Sequence, residues 1–149
     1  MYRWEDFARE ADELAERGRR LLYQFGPGLA FLATVDRSGA PRLHPIVVAQ
    51  EQGGLYAFLV PSPKRRDLER DPRYALHAFP PEEVDDEFAL RGEARRVDDP
   101  AVRAAIAAAV EFDPADDHDL YEFLIDNALL AEYERRGQWP PAYSTWTSA

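Results

Sequence analysis

The sequence predicts a mainly β (α+β) protein, a small and mostly antiparallel barrel of six strands with peripheral helices. Short apolar runs alternate with turn signals through the middle of the chain. Consecutive runs are joined by tight turns, which favour antiparallel pairing. Segments with helical periodicity lie before, between or after these runs. Because the 149 residues contain no linker-like segment, we expect one domain spanning residues 1–149.

The first predicted element is an amphipathic helix over residues 4–23. Its apolar side chains recur at near-helical spacing with charged residues between them. Gly26-Pro27-Gly28 follows directly and is a sequence that ends helices. The helix is therefore expected to pack one side against the barrel.

Three consecutive strands are predicted next. Residues 29–35 form a short apolar, partly β-branched run, and the turn at residues 36–39 leads into a second strand over residues 42–50. A second turn at Gln52-Gly53-Gly54 returns the chain through residues 55–60. The pattern thus predicts an antiparallel sheet that begins with two hairpins.

A short helix is predicted from about Pro63 to Asp71. Ser62 is a favourable N-cap, and proline fits the first helical position because the N–H that it lacks would have no partner there. Asp71-Pro72 supplies the stop, since the residue before a proline disfavours helical geometry. The helix separates the third strand from the fourth.

The first turn of this short helix is strongly basic. It contains Lys64, the only lysine among 18 cationic residues, followed by Arg65 and Arg66. A helix N-terminus already carries partial positive charge, so each cation there costs about 0.3–1 kcal/mol unless an anion binds the free N–H groups. The turn therefore predicts an anion site. The alternative is a solvated basic turn, relieved weakly by Glu69 four residues after Arg65.

Two further strands and a third helix follow. Residues 74–79 and 87–97 are predicted as strands, the second with a kink at Gly92. Asp99-Pro100 caps a helix over residues 101–110. Because its body is rich in alanine, this helix is expected to pack against the sheet through small side chains.

Residues 119–134 allow two interpretations. Some apolar residues alternate as in a strand (Tyr121, Phe123, Ile125), whereas others form a helical stripe (Leu120, Leu124, Ala128, Ala131). A strand over residues 119–127 is favoured because five strands need a sixth to close the barrel. The barrel is then expected to span about residues 29–127, and the aromatic tail 139–149 to cover a core or an interface.

Composition excludes several classes of function. With no cysteine, the chain has neither disulfides nor thiolate catalysis, which fits a cytoplasmic protein. No apolar run is long enough for a membrane span, and a net charge of −10 disfavours nucleic acid. The three histidines form no metal-binding pair, so no metal site is predicted. No catalytic set is recognisable, and any redox chemistry is expected to come from a bound cofactor.

Three motifs in this order resemble the pyridoxamine 5′-phosphate oxidase-like family of FMN-binding split barrels. They are Leu32-Ala33-Thr34-Val35-Asp36-x-x-Gly39-x-Pro41, then His44-Pro45, then Ser62-x-Lys64-x-x-x-Leu68-x-x-Asp71-Pro72-Arg73. The resemblance covers about residues 29–97. It implies a six-stranded antiparallel split β-barrel, in agreement with the strand order read from the sequence.

The resemblance also implies a set of cofactor-binding residues. The FMN phosphate would be held by Ser62 and Lys64, and Arg65 would be a further ligand. Arg42 and His44, two residues apart on the second strand, share one face and would approach the phosphate or the ribityl chain. The predicted anion site and the implied phosphate site are thus the same place.

The family further implies a homodimer with the flavin ring at the interface, next to backbone groups near Val47 and Val60. The chain departs from true pyridoxamine phosphate oxidases, which carry an arginine and a lysine on the second strand where His44 and Ala49 stand here. The C-terminal substrate-binding signature of those enzymes is also missing. Oxidation of pyridoxamine phosphate is therefore not expected.

The resulting hypothesis is a cytoplasmic homodimeric FMN oxidoreductase that transfers a hydride or electrons between a reduced nicotinamide or similar donor and an unknown small acceptor. Two alternatives remain open. One is an F420-dependent reductase, although its acidic tail needs a basic groove for which the sequence offers little beyond Arg65, Arg66 and Arg70. The other is a non-catalytic carrier or sensor of flavin or haem.

Overall fold

The computed structural model describes all 149 residues, which form seven strands and four helices. The strands are β1 (Gly28–Val35), β2 (Pro41–Glu51), β3 (Gly54–Leu59), β4 (Arg73–Ala78), β5 (Glu87–Val97), β6 (Asp119–Glu132) and β7 (Ala142–Thr147). The helices are α1 (Trp4–Glu10), α2 (Asp12–Leu22), α3 (Pro63–Arg70) and α4 (Pro100–Ala109). No helix is both long enough and apolar enough to span a membrane.

Six of the strands close into an antiparallel barrel. The sheet order is β3-β2-β1-β4-β5-β6-β7, and an additional pairing of β3 with β6 completes the barrel. β7 pairs with β6 alone and lies outside the closed barrel. The predicted six-stranded split barrel with peripheral helices is confirmed, and the seventh strand, built from the aromatic tail, was not predicted.

The prediction of one continuous N-terminal helix over residues 4–23 is wrong. The segment divides into α1 and α2 at Ala11, whose φ of −138° and ψ of 61° are not helical. A straight helix of that length would extend for about 30 Å, whereas the bend turns both apolar sides towards the barrel. Phe7 of α1 and Leu22 of α2 are consequently fully buried in the same core.

The ambiguous segment forms a strand, and it runs five residues beyond the predicted end at residue 127. The β5–β6 register shifts between Arg91 and Gly92, leaving Asp126 without a partner on β5. Such a bulge reverses the alternation of side chains along the strand. The members of β6 in the main core are accordingly odd-numbered before the bulge and even-numbered after it (Tyr121, Phe123, Ile125, Ala128, Leu130).

The alanine-rich helix α4 begins after Asp99, whose side chain accepts a hydrogen bond from the N–H of Ala101, as the capping prediction requires. The expected packing through small side chains is wrong. Ile106 is the one fully buried residue of α4, and it packs against Ala49 and Tyr56 in a small second core. A branched side chain fills the space between the helix and the barrel, which alanine is too short to reach.

The aromatic tail covers the N-terminal end of the core. The ring of Trp146 in β7 lies 5.0 Å from that of Phe7, and its Nε1–H donates a hydrogen bond to Glu10. β7 therefore ties α1 to the barrel through one partly buried tryptophan.

Candidate functional site

Helix α3 presents an N-terminus without a side-chain cap. Ser62 is extended, as an N-cap residue should be, but its hydroxyl donates to the carbonyl of Val60 at 2.8 Å instead of accepting from a helix N–H. The first turn contains no acidic residue. Its N–H groups, Lys64 and Arg66 therefore have no internal anion to offset them.

Lys64 is half-buried and makes no hydrogen bond or ion pair within the protein. Burial lowers its pKa below the ordinary value for a lysine, although an amine with so high a starting pKa remains a cation near neutral pH. A partly desolvated ammonium group without an acceptor is unusual, because burial of an unpaired charge is costly. Lys64 is thus available to an anion from outside the chain.

His44 lies beside this lysine. Burial, together with the positive charges of Lys64 and Arg42, lowers the pKa of His44 below its ordinary value. The imidazole is therefore neutral at pH 7. Its Nε2 is buried and has no hydrogen-bond partner. Lys64 and His44 thus interact electrostatically, and each has an unused polar atom.

Arg42 is already occupied by a buried carboxylate. Its Nε donates to Oδ2 of Asp67 at 2.8 Å, and the same oxygen accepts from the hydroxyl of Thr34 at 2.8 Å. Arg70 donates to the other carboxylate oxygen at 3.1 Å and to the carbonyl of Val35 at 2.8 Å. We call Asp67, Thr34, Arg42 and Arg70 the Asp67 cluster. Arg42 shares the inward face of β2 with His44, but most of its charge is balanced within the protein.

Arg65 turns away from the other predicted ligands. Its Nη1 donates to the carbonyl of Asp117 at 2.7 Å and lies 3.5 Å from the carboxylate of Asp119, while its Nε is 3.7 Å from Glu69. These contacts fasten α3 to the loop before β6 and to β6 itself, while the buried Nε of Arg65 has no hydrogen-bond partner.

The two valines lie on different parts of the surface. Val47 is opposite Leu29 in the β1–β2 register and projects to the outer face of the sheet, away from His44. Val60 is 42% exposed and stands between the end of β3 and Ser62. The structure therefore places Val60 next to α3, and it places Val47 on the opposite face of β2 from His44.

A wide polar cleft lies beside this anion site, with a volume of about 590 Å³. Four guanidinium groups and two carboxylates line it, and no hydrophobic residue does. We call it the arginine cleft; its lining residues are Arg37, Arg42, Pro63, Arg66, Asp67, Glu69 and Arg70. It supplies the basic groove that the sequence did not reveal.

Sequence reasoning missed Asp67 and Arg37. The burial of Asp67 is signalled only weakly, by Thr34 as a polar residue at an inward position of β1 and by Arg70 three residues further along α3. Arg37 belongs to a turn and was not considered as a site residue. Its position at the cleft depends on how the β1–β2 hairpin lies over α3, which no local pattern encodes.

A closed six-stranded antiparallel barrel with peripheral helices defines the class of split barrels. Residues 19–128 match the family model of pyridoxamine 5′-phosphate oxidase. The chain belongs to this pyridoxamine 5′-phosphate oxidase-like family. The comparison with curated protein sequences gave no significant match.

Solved structures share the fold. A NimC/NimA family protein from Clostridium acetobutylicum has a TM-score of 0.66 and 17% identity, covering 88% of this chain and 92% of that one. A haem-binding protein from Mycobacterium smegmatis has a TM-score of 0.65 and 18% identity, covering 87% of this chain but 57% of its own length. General Stress Protein 26 from Bacillus anthracis has a TM-score of 0.58 and 17% identity, and the match covers 77% of this chain and 92% of that one. At these identities, the likeness shows the fold alone.

Proposed function

We propose that this chain binds FMN noncovalently as a homodimer and acts as an oxidoreductase on a small molecule other than pyridoxamine phosphate. One observation carries the proposal. Lys64, at the uncapped N-terminus of α3, has no partner and acts electrostatically on His44, whose buried Nε2 is also unpaired. Family membership supplies the class of cofactor for which this anion site is suited.

The residues present fit a phosphate monoester. Lys64 would contribute a cationic donor, and His44 would donate from Nε2 in the neutral tautomer that a phosphate oxygen selects. The N–H groups of the first turn of α3 add donors and the favourable end of the helix dipole. Ser62 lies at the same turn, but its hydroxyl must leave the Val60 carbonyl before it can donate to a ligand.

Arg42 would act at a distance. Its Nε is bonded to Asp67, while its two terminal nitrogens make no hydrogen bond in the protein, so Arg42 contributes positive potential near His44 and keeps unused donors. A bound flavin would supply hydride or electron transfer, for which the chain has no carrier of its own. The work of the chain is then to hold the phosphate and to orient the ring.

The expected dimer interface is the outer face of β1, β2 and β4. Phe31 stacks on Phe79 with 4.4 Å between the ring centroids, and Leu43 is 67% exposed on the same face as Val47. An exposed apolar side chain beside stacked aromatic rings is suited to contact with a second copy. A ring bound at this interface would lie near Val47, as the family resemblance implies.

Lys64→Ala tests the phosphate site. A charge-assisted hydrogen bond contributes about 1.5–3 kcal/mol, so FMN binding should weaken by about 10- to 100-fold. Riboflavin, which lacks the phosphate, should bind the variant within about twofold of the wild type. Fluorescence titration of both flavins measures the difference, and Arg20→Ala, at an exposed position of α2, is the matched control. An equal effect on FMN and riboflavin would contradict a phosphate role for Lys64.

Turnover is tested separately from binding. The FMN-loaded protein is mixed without oxygen with NADH and with NADPH, and bleaching of the flavin absorption band is followed. Bleaching supports an oxidoreductase, whereas an unchanged band with both donors favours a carrier.

Leu43→Glu tests the dimer. Light scattering after size exclusion should give a dimer for the wild type and a monomer for the variant, because a buried unpaired carboxylate at the interface is unfavourable. Phe25→Glu places the same charge at another exposed apolar residue and serves as control. A monomeric wild type at micromolar concentration would contradict the dimer.

A haem carrier is a second candidate because His44 offers a neutral imidazole whose Nε2 is unused. Such a nitrogen is the usual protein ligand to haem iron. The haem-binding protein from Mycobacterium smegmatis has a related fold. Hemin titration of the wild type and of His44→Ala distinguishes the candidates: a Soret shift that His44→Ala removes, and His77→Ala retains, would favour haem over FMN.

A further inference from the structure

The arginine cleft contains two guanidinium groups that nothing in the protein balances. Arg37, from the β1–β2 turn, and Arg66, from the first turn of α3, are both exposed, and neither side chain makes a hydrogen bond or an ion pair. They belong to segments far apart in the sequence, yet they line one cleft. The fold thus places two free cations where one ligand can contact both.

The other two guanidinium groups of the cleft are fixed in place. Arg42 is held by Asp67, and Arg70 is held by both Asp67 and the carbonyl of Val35. Side chains that are already ordered lose little conformational entropy when a ligand binds. The cleft therefore combines two positioned cations with two that are free to close on an anion.

The charge of the cleft opposes that of the whole protein. Four guanidinium groups face two carboxylates, Asp67 and Glu69, so the lining carries an excess of two positive charges, while the chain carries a net charge of −10. A local positive cleft on an acidic surface concentrates small anions more than extended polyanions. Arginine is also the side chain best suited to two-point contact with phosphate or carboxylate oxygens.

The shape of the cleft indicates the class of ligand. Its volume of about 590 Å³ exceeds what a single phosphate needs, and none of its lining residues is hydrophobic. The cleft is therefore suited to a polar group with several charges.

We infer that the arginine cleft binds a multiply charged phosphate or carboxylate group at a site separate from that of Lys64. The inference does not depend on the proposed cofactor, because Lys64 and His44 do not line the cleft, and Arg42 is the one residue that the two sites share. Such a group belongs either to a free small anion or to an acidic tail on a larger ligand, and the same four arginines would recognise both.

Calorimetric titration of the cofactor-free protein with pyrophosphate, and with a tri-glutamate peptide, tests this inference. Arg37→Ala combined with Arg66→Ala should weaken binding of whichever anion binds the wild type by at least tenfold. These residues have no internal partners, so the variant should fold normally. The matched control, Arg9→Ala combined with Arg20→Ala, removes two exposed arginines from α1 and α2 and should change the affinity by less than twofold.

One single variant locates the anion. Glu69→Gln removes a negative charge from the cleft and should tighten binding several-fold, an effect that loss of structure does not produce. Failure of both anions to bind, or an equal effect of both double variants, would overturn the inference. A preference for pyrophosphate indicates a free phosphate ligand, and a preference for tri-glutamate indicates an acidic tail.

Discussion

Two carboxylates, Asp67 and Glu122, are buried to the same extent, each with 2% of its surface exposed. Each is held by a pair of arginines. Glu122 accepts from Arg3 Nε at 2.7 Å and from Arg95 at 3.0 and 2.6 Å. Asp67 accepts hydrogen bonds from Arg42 at 2.8 Å, from Arg70 at 3.1 Å and from the hydroxyl of Thr34. The two clusters use the same chemistry at different places on the barrel.

The difference lies in what surrounds each pair of arginines. Around Glu122, Arg3 also donates to the hydroxyl of Tyr56 and the carbonyl of Gln52, and it pairs with Glu5. Its donors are used in joining the N-terminal segment to the barrel. Around Asp67, the arginines line a cleft together with two unpaired guanidinium groups. The first arrangement stabilises the fold, and the second also builds a positive surface.

The largest expected effect is on stability at Glu122. Glu122→Gln leaves two guanidinium groups without their shared charge and should lower the free energy of unfolding by about 3 kcal/mol, the lower end for breaking a buried ion pair, since Arg95 is partly exposed. Urea denaturation measures the loss, and Glu111→Gln at an exposed site should change it by less than about 0.5 kcal/mol. Pyrophosphate binding should not change; a loss of binding with intact stability would remove the proposed contrast.

A smaller effect is expected at Asp67. Asp67→Asn should lower the free energy of unfolding by about 2 kcal/mol, because Asp67 accepts two hydrogen bonds from guanidinium groups whereas Glu122 accepts three. Asp113→Asn, in an exposed loop, is the matched control. Unlike Glu122→Gln, this variant should also alter pyrophosphate affinity, since Arg42 and Arg70 are no longer held. A stability loss without any change in affinity would make the two clusters equivalent.

The Asp67 contribution should depend on pH. Burial alone would raise the pKa of Asp67, but hydrogen bonds from Arg42, Thr34 and Arg70 outweigh it and hold the pKa below its ordinary value. Stabilisation is therefore present above the unfolded pKa of about 3.9 and is lost as the pH falls through the folded pKa. The difference in unfolding free energy between wild type and Asp67→Asn should be full at pH 7 and shrink below about pH 4. A constant difference would contradict the ion pair.

The smallest effect is expected for Arg70→Ala. Arg70 is more than one third exposed, and Asp67 keeps Arg42 and Thr34 as donors, so the loss should be below about 1 kcal/mol. Chemical denaturation with Arg73→Ala as the neighbouring exposed control measures it. A loss as large as that of Asp67→Asn would show that Arg70, not Arg42, is the main partner.

Local patterns predicted the elements that depend on neighbouring residues. The turns, the basic helix and the order of the first five strands were readable because capping and alternation are short-range signals. The burial of Asp67 was not readable from the sequence, because it depends on Thr34 and Arg42, which are 33 and 25 residues away. The bond from Arg65 to the carbonyl of Asp117 was not readable either, because Asp117 lies in a loop whose position no periodicity encodes.

The ambiguity of residues 119–134 has a physical cause. The bulge opposite Gly92 changes the parity of inward-facing residues in β6, so Tyr121 and Ala128 both face the core although they are seven residues apart. Seven residues is also two turns of a helix. A strand with one bulge therefore imitates a helical stripe, and the requirement of barrel closure was the only sound basis for choosing between them.

The barrel is closed by few residues. β3 and β6 pair over four positions, Tyr56–Leu59 with Asp119–Glu122, whereas β5 and β6 pair over eleven. Arg3 contacts side chains from both strands at one end of this short seam, Tyr56 on β3 and Glu122 on β6, and Tyr2 pairs with Ile125 further along β6. The residues before the first helix are, in mechanical terms, a clasp on this seam, and whatever loosens them loosens the pairing that closes the sheet into a barrel.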